Sequence, residues 1–212
     1  RLLLNVPTEA RAALPIENKP AIPYEVLTIS SQIEQEQVYL GDLVGDPHTF
    51  EFSIGTEMEL VVNLSQKPGL EIIPLSLIVV KLNDNRRGVV EMGRLSAEDN
   101  NWHKYRDSVL GVSLLGSETF SLNLGAGIYK LEVSSAENLG KYMMLIGSKP
   151  SSDGYFTTLR QIRIIQAYFD YSTFRILLSS YVYYPLGIIL LIGLFYFTWR
   201  TRGRVTKVIN YD

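Results

Sequence analysis

Residues 49–64, TFEFSIGTEMELVVNL, decide the fold class of this chain. Phe50, Phe52 and Ile54 alternate with polar residues, and the alternation returns at Met58 after a short turn. Because successive side chains of a strand point to opposite faces of its sheet, this period predicts two half-buried β-strands.

Strand character extends outward from this stretch over residues 37–149. Further apolar or alternating runs occupy residues 75–82, 88–92, 109–115, 119–124, 127–133 and 141–146. Turns rich in Gly, Asn and Asp separate these runs. About eight or nine short strands with such turns predict a mainly β domain over residues 36–150, an antiparallel, jelly-roll-like β-sandwich.

The N-terminal residues 1–35 have a different composition. The prolines that interrupt any helix there are Pro7, Pro15, Pro20 and Pro23. Each pushes the preceding residue toward extended geometry, so we expect an extended, proline-containing arm. Such an arm is either disordered or lies along a partner, and residues 24–29 (YEVLTI) alternate well enough to form a first strand.

Residues 125–147, GAGIYKLEVSSAENLGKYMMLIG, carry a family resemblance. They resemble the closing hairpin of pre-peptidase C-terminal-like and GOLD-like β-sandwich domains, in which two Gly-x-Tyr strands flank a polar turn. The positions that fit this pattern are Gly127, Tyr129, Leu131, Val133, Gly140, Tyr142, Met144, Ile146 and Gly147. Residues 38–42 and 48–52 resemble the opening strands of such domains. The resemblance implies a non-catalytic adhesion, chaperoning or interaction module.

A juxtamembrane amphipathic helix is predicted within residues 153–180. Asp153 is the expected N-cap, and apolar residues then recur at three- and four-residue spacing. The apolar positions are Tyr155, Leu159, Ile162, Ile165 and Phe169. Three partners are open for this face: the outer membrane surface, the sandwich itself, or a neighbouring transmembrane subunit. A second short helix is expected around residues 174–179.

Residues 181–199, YVYYPLGIILLIGLFYFTW, contain no charged residue. At about 1.5 Å per residue, a helix of this length spans about 30 Å, the thickness of a bilayer core. Tyr and Trp prefer the membrane interfaces. The residues predicted to contact them are Tyr181, Tyr183, Tyr184, Tyr196 and Trp199. We therefore predict one transmembrane helix, with a buried core helix as the alternative.

The predicted topology follows from the basic residues after this run. They are Arg200, Arg202, Arg204 and Lys207. Basic residues keep the adjacent end of a membrane helix cytoplasmic, so residues 200–212 are expected to form a short cytoplasmic tail. The N-terminal domain is then placed outside the cytoplasm, at the cell membrane. Because the sequence begins with Arg1, we also expect a signal peptide upstream of it.

The sequence contains no recognisable catalytic or metal-binding motif. The chain has no cysteine, which excludes disulfides and thiolate metal sites, and it lacks HExxH, GxSxG and SxxK. His48 is expected at the entrance of a strand and His103 in the polar stretch of residues 98–104, both at the surface. An enzyme would need them to converge with Glu98 and Asp99 in one cleft. We therefore expect no enzyme, no metal and no cofactor.

The expected partners are the lipid bilayer and other membrane protein subunits. With a net charge of −2, the chain lacks the basic surface that nucleic acid binding requires. The sequence favours an accessory or interaction subunit of a membrane complex, acting through the extracytoplasmic sandwich. The alternative is a membrane-anchored solute or sugar receptor, which would expose aromatic rings on the sandwich. Trp102, His103 and Tyr105 are the candidate partner or ligand contacts.

Overall fold

The computed structural model describes residues 14–20, 22–29, 33–69, 73–83, 88–97, 102–150 and 154–209, with side chains up to Thr201 in the last helix. These residues form twelve strands in two sheets, followed by two α-helices with a 3₁₀ helix between them. The architecture is mainly β with one long apolar C-terminal helix, so the predicted fold class is confirmed.

The larger sheet has seven strands and the smaller sheet has five. The larger sheet contains β1 (Ile16–Asn18), β3 (Gln37–Val44), β5 (Met58–Gln66), β8 (Trp102–Asp107), β9 (Val112–Ser117), β10 (Phe120–Leu124) and β12 (Leu139–Ile146). The smaller sheet contains β2 (Val26–Thr28), β4 (His48–Ile54), β6 (Leu75–Leu82), β7 (Val89–Leu95) and β11 (Gly127–Ser135). The spatial orders are β1-β3-β12-β5-β9-β8, with β10 also paired to β5, and β2-β4-β11-β6-β7.

The two sheets bury their facing sides in one hydrophobic core. Phe50, Phe52 and Ile54 of β4 are all buried there, as their alternation predicts. The two strands of the family resemblance are central: β11 pairs with β4 and β6, and β12 pairs with β3 and β5. They lie in different sheets, so the polar turn between them crosses the sandwich and does not close a hairpin.

The N-terminal arm contributes one edge strand to each sheet. β1 pairs with β3 and β2 pairs with β4, and both pairs are parallel. The sheets are therefore mixed, although their remaining strand pairs are antiparallel. Pro20 and Pro23 lie in the crossing between these strands, where no ladder N–H is required. Residues 1–13 of the predicted arm lie outside the described residues.

β8 lies in a stretch that sequence reasoning placed partly in a polar loop. Residues 102–107, WHKYRD, form the edge of the larger sheet and pair antiparallel with β9. Trp102 packs into the core between the sheets, whereas Tyr105 packs on the outer face. An edge strand can carry charged side chains, and the charged residues of β8 make its alternation difficult to recognise in the sequence.

α1 (Tyr155–Tyr168) covers part of the outer face of the larger sheet. The buried residues of this second core are Leu40, Leu110, Val112, Leu114, Met143, Ile162, Ile165 and Phe169. Of the three partners left open for the amphipathic helix, the sandwich therefore receives its buried face. The expected N-cap, Asp153, lies outside the described residues, and Gly154 occupies the N-cap position.

Four residues and a 3₁₀ helix connect α1 to the C-terminal helix. A 3₁₀ helix (Thr173–Leu178) occupies the place of the short helix expected around residues 174–179. α2 (Ser180–Ile209) begins two residues after the 3₁₀ helix ends.

Candidate membrane anchor and contact surfaces

α2 is long and apolar enough to cross a membrane, and it is the one such helix among the described residues. Its apolar span, Ser180–Thr201, has 22 residues, and none of its most apolar 18-residue window is buried inside the protein. The exposure argues against the alternative of a core helix, which buries its apolar side chains. Pro185 is the sixth residue of α2, where it removes the N–H that would bond to the Tyr181 carbonyl.

The aromatic residues predicted to contact the membrane interfaces occupy two different environments. Tyr183, Tyr184, Tyr196 and Trp199 are exposed on α2. Tyr181 instead packs against the second core of the β-domain. The Tyr155 ring stacks on it with centroids 6.0 Å apart, and the Tyr155 hydroxyl donates a hydrogen bond to the Tyr181 carbonyl over 2.8 Å.

The basic residues that predict topology follow the apolar span on the same helix. Arg200 is exposed, and α2 continues past it to Ile209. The side chains of Arg202, Arg204 and Lys207 lie outside the described residues. The cytoplasmic orientation of this end stays a prediction.

Polar contacts fix the first turn of α2 to the turn between β8 and β9. The buried Ser179 hydroxyl donates to the Val109 carbonyl over 2.5 Å. The Ser180 backbone N–H donates to the Ser108 carbonyl over 2.9 Å. On α1, the side-chain amide of Gln166 donates to the Leu110 carbonyl over 2.7 Å. The β8–β9 turn, α1 and α2 therefore meet in one hydrogen-bonded junction.

The local sequence of the β8–β9 turn explains why this junction can form. The Asp107 carboxylate accepts from the Leu110 N–H over 2.9 Å, which closes the turn. Gly111 then has a φ of +68°, and a Cβ at this position would lie 2.6 Å from the Ser179 backbone nitrogen. Only glycine combines this backbone conformation with such a close approach.

A groove of about 430 Å³ lies between α1 and the part of the larger sheet that α1 leaves open. His103, Tyr105 and Asp107, which alternate along β8, line one side of this groove. The Tyr105 hydroxyl lies 3.0 Å from the Ser65 hydroxyl. Burial raises the pKa of Tyr105 despite this hydrogen bond, so the phenol stays protonated and can donate. Two of the three candidate contact residues thus share one surface.

Trp102 does not belong to this surface. Its ring is buried between the two sheets, on the opposite face of β8 from Tyr105. Its indole N–H has no hydrogen-bond partner among the described residues. The alternation of the strand therefore separates residues that are close neighbours in sequence.

The two histidines occupy different parts of the molecule. His103 is exposed on the larger sheet. His48 begins β4 of the smaller sheet, as expected, but it is buried there and not at the surface. His48 Nδ1 lies 2.9 Å from the Tyr142 hydroxyl of the larger sheet. Burial lowers the pKa of His48, and attraction to Asp42 opposes this only in part. The imidazole is therefore neutral at pH 7 and joins the two sheets.

No group of three or more metal-ligating side chains forms among the described residues. Glu98 and Asp99, the carboxylates that an enzyme would require beside the histidines, lie outside that part of the chain.

A polar cavity of about 290 Å³, which sequence reasoning did not predict, lies between the arm and the end of α1. Asn18 is buried beside it, and neither its amide nitrogen nor the Tyr168 hydroxyl has a partner among the described residues. Lys141 forms one wall, donating to the Tyr168 carbonyl and the Asp170 carboxylate over 3.1 and 2.8 Å. Two unpaired donors suit water or a small polar solute.

These features define a β-sandwich domain joined to one helix that could span a membrane. No protein-family model and no curated protein sequence matches this chain. Among solved structures, the crystal structure of the pre-peptidase C-terminal domain of the collagenase from Bacillus anthracis matches with 14% sequence identity and a TM-score of 0.37. The match covers 60% of this chain and 98% of that chain. That domain belongs to the class that residues 125–147 resemble.

Proposed function

We propose that this protein is a non-catalytic single-pass membrane protein and an accessory subunit of a membrane complex. The observation that carries this proposal is the hydrogen-bonded junction between the β8–β9 turn and the start of α2. A flexibly tethered module rotates freely above the bilayer, whereas Ser179 and Ser180 are bonded to the β8–β9 turn. A domain with a fixed orientation loses less freedom when it meets a partner in the same membrane.

The partner-contact surface that we assign is the groove beside α1. It combines apolar side chains such as Met143 and Ile162 with polar residues such as His103 and Asp107. An apolar centre with a polar border is typical of protein interfaces. Tyr105 supplies an aromatic ring with a polar end, the kind of residue that often dominates binding energy.

The non-catalytic part of the proposal rests on the separation of the histidines. His48 is buried in the smaller sheet and already bonded to Tyr142, whereas His103 is exposed on the larger sheet. General acid–base catalysis requires its groups to reach one reacting atom. These two side chains lie on different sheets, so we assign neither a catalytic role.

The proposed topology places the sandwich outside the cytoplasm and the end of α2 inside. It is supported by the basic residues that follow the apolar span, since such residues are retained on the cytoplasmic side. The proposed location is the cell membrane, with the bilayer and other membrane subunits as partners.

The test is affinity purification of the tagged full-length protein from native membranes in a mild detergent. We expect one or more membrane proteins to co-purify in stoichiometric amounts. His103→Trp, which fills the groove, should reduce this recovery several-fold. Lys104→Trp places the same side chain at the adjacent position on the opposite face of β8 and should retain the partners.

Recovery of the protein alone and monodisperse would contradict the accessory-subunit proposal and favour the receptor. Two observations support that second candidate: the groove and the polar cavity at Asn18 both have room for a solute. The hypothesis of a sugar receptor is weakened because Trp102 is buried, so its ring cannot stack on a sugar. Full retention of the partners in both Trp variants would show that the contact lies outside the groove.

A further inference from the structure

Large apolar side chains surround the start of α2 without belonging to either core. Phe156 on α1 and Phe174 on the 3₁₀ helix are 83% and 79% exposed. Leu177 and Leu178, directly before α2, are also exposed. These four residues, here called the apolar collar, continue the exposed apolar surface of the membrane helix onto the β-domain.

The collar is a consequence of how the two short elements are packed. α1 turns Ile162 and Ile165 toward the larger sheet, which leaves Phe156 facing outward in its first turn. In a 3₁₀ helix, residues three apart lie on the same side, so Phe174 and Leu177 share one face. Folding therefore leaves this apolar surface uncovered by any described part of the chain.

The position of the collar relative to α2 is fixed. Tyr155, the neighbour of Phe156, stacks on Tyr181 and donates a hydrogen bond to its carbonyl. The Ser179 contact with Val109 holds the end of the 3₁₀ helix against the β-domain. When α2 crosses a bilayer, the collar therefore lies at the membrane surface where α2 enters the bilayer.

Basic side chains accompany the collar. Arg175 is exposed between Phe174 and Leu177, and Arg106 is exposed near the end of β8, next to the β8–β9 turn that is bonded to the start of α2. Arginine beside apolar and aromatic rings matches the membrane interface, where the rings enter the acyl boundary and the guanidinium meets phosphate.

We propose that the apolar collar inserts into the phospholipid leaflet at which α2 begins, with Arg106 and Arg175 at the headgroups. The β-domain then lies against the bilayer and is not held above it. The occupant to which the geometry points is lipid, because the collar is continuous with a helix whose apolar surface needs the same environment. The inference rests on α2 crossing the membrane, and it does not require the accessory-subunit role.

The test uses site-directed spin labels, since the chain contains no cysteine and any introduced cysteine is unique. Full-length Phe156→Cys, Phe174→Cys and Leu177→Cys are labelled and reconstituted at low density in vesicles of phosphatidylcholine and phosphatidylglycerol. Collision with oxygen, which is enriched in lipid, is compared with collision with a water-soluble nickel chelate. We expect all three labels to favour oxygen at least several-fold over a water-exposed reference.

Two further labels separate the possible outcomes. Leu190→Cys places a label in the apolar span of α2. Thr56→Cys places the water-exposed reference label in the β4–β5 turn, at the end of β5 that does not pair with β9. Leu190 in lipid with the collar labels in water would overturn the collar proposal alone. Leu190 in water would overturn both the membrane span and the collar. Because the vesicles contain no other protein, lipid contact in them also excludes a partner subunit as the required occupant.

Discussion

The two faces of the larger sheet come from the same strands and are covered very differently. The inner face meets a whole second sheet, and residues such as Leu64 and Met144 are completely buried there. The outer face meets a single helix, which covers Leu40 and Met143 but leaves the groove beside them. The inner face stabilises the fold, whereas the outer face keeps an open groove.

The difference has a simple geometric cause. α1 has 14 residues, so it is about 21 Å long and about 10 Å wide with its side chains. The main path of the larger sheet has six strands, which at about 4.8 Å per strand step extend over about 24 Å. One helix cannot cover this width, and the groove is the part that remains.

Two adjacent methionines on β12 test the difference directly. Met144 faces the smaller sheet and is fully buried, whereas Met143 faces α1 and lines the groove. We expect Met144→Ala to lower the free energy of unfolding by about 3–4 kcal/mol, and Met143→Ala by about 1–2 kcal/mol, because an open site relaxes more easily. The measurement is urea unfolding of the full chain in micelles.

Trp102 provides the signal for this experiment, since it lies in the inner core. Trp199 on α2 is replaced by Phe in all samples, so that α2 contributes no tryptophan signal to the fluorescence. Equal losses for the two variants would mean that α1 covers the sheet as tightly as the smaller sheet does. A larger loss for Met143→Ala would reverse the comparison between the faces.

A smaller and more local effect is expected at the edge of the outer face. Gly111→Ala places a Cβ in a left-handed backbone conformation and 2.6 Å from the Ser179 nitrogen. We expect the junction with α2 to open, at a cost of about 1–2 kcal/mol for the conformation alone. Hydrogen exchange should become faster in residues 106–112 and 176–182, while β11 and β12 keep their protection.

Gly125→Ala is the matched control, because a Cβ there meets nothing within 4 Å. Unchanged exchange at residues 176–182 in Gly111→Ala would show that the junction tolerates the added carbon. Faster exchange throughout the sandwich would show that the junction supports the whole fold. That result would remove the distinction between a stabilising inner face and a separable outer one.

The sequence predicted the inner face better than the outer face, for a physical reason. Phe50, Phe52 and Ile54 alternate with polar residues because one side of β4 meets the core and the other meets solvent. On β12, Met143 and Met144 are both apolar because both sides are covered. Consecutive apolar residues in a strand were the available signal that a further layer packs on the larger sheet.

Other features depend on contacts that no local pattern records. β1 and β2 have three residues each and pair with strands farther along the chain, so their short sequences do not specify a partner. β8 is an edge strand with several charged residues, and these interrupt the alternation of apolar and polar residues that predicts a strand. The groove could not be predicted because it depends on how far α1 extends across the sheet.

The smallest expected effect concerns a polar pair inside the inner face. His48 of the smaller sheet lies 2.9 Å from the Tyr142 hydroxyl of the larger sheet, and burial lowers the pKa of His48 below its ordinary 6.5. The unfolded chain therefore binds a proton as the pH falls through 6.5, before the folded chain does. Wherever the unfolded state binds more protons than the folded state, the free energy of unfolding decreases as the pH falls. The contribution of His48 is therefore complete above pH 6.5 and is lost as the pH falls below 6.5.

Urea midpoints at pH 7.5, 6.5 and 5.5 measure this contribution as a difference between variants, because carboxylates also titrate over part of the range. His48→Gln should show a shallower loss of stability between pH 7.5 and 5.5 than the parent chain. His103→Gln, at the exposed histidine of the outer face, should retain the parent slope. If both variants kept that slope, His48 would be free to take up its proton in the folded state. The inner face would then be open to solvent at the end where His48 meets Tyr142, and the contrast between the two faces would hold only for their centres.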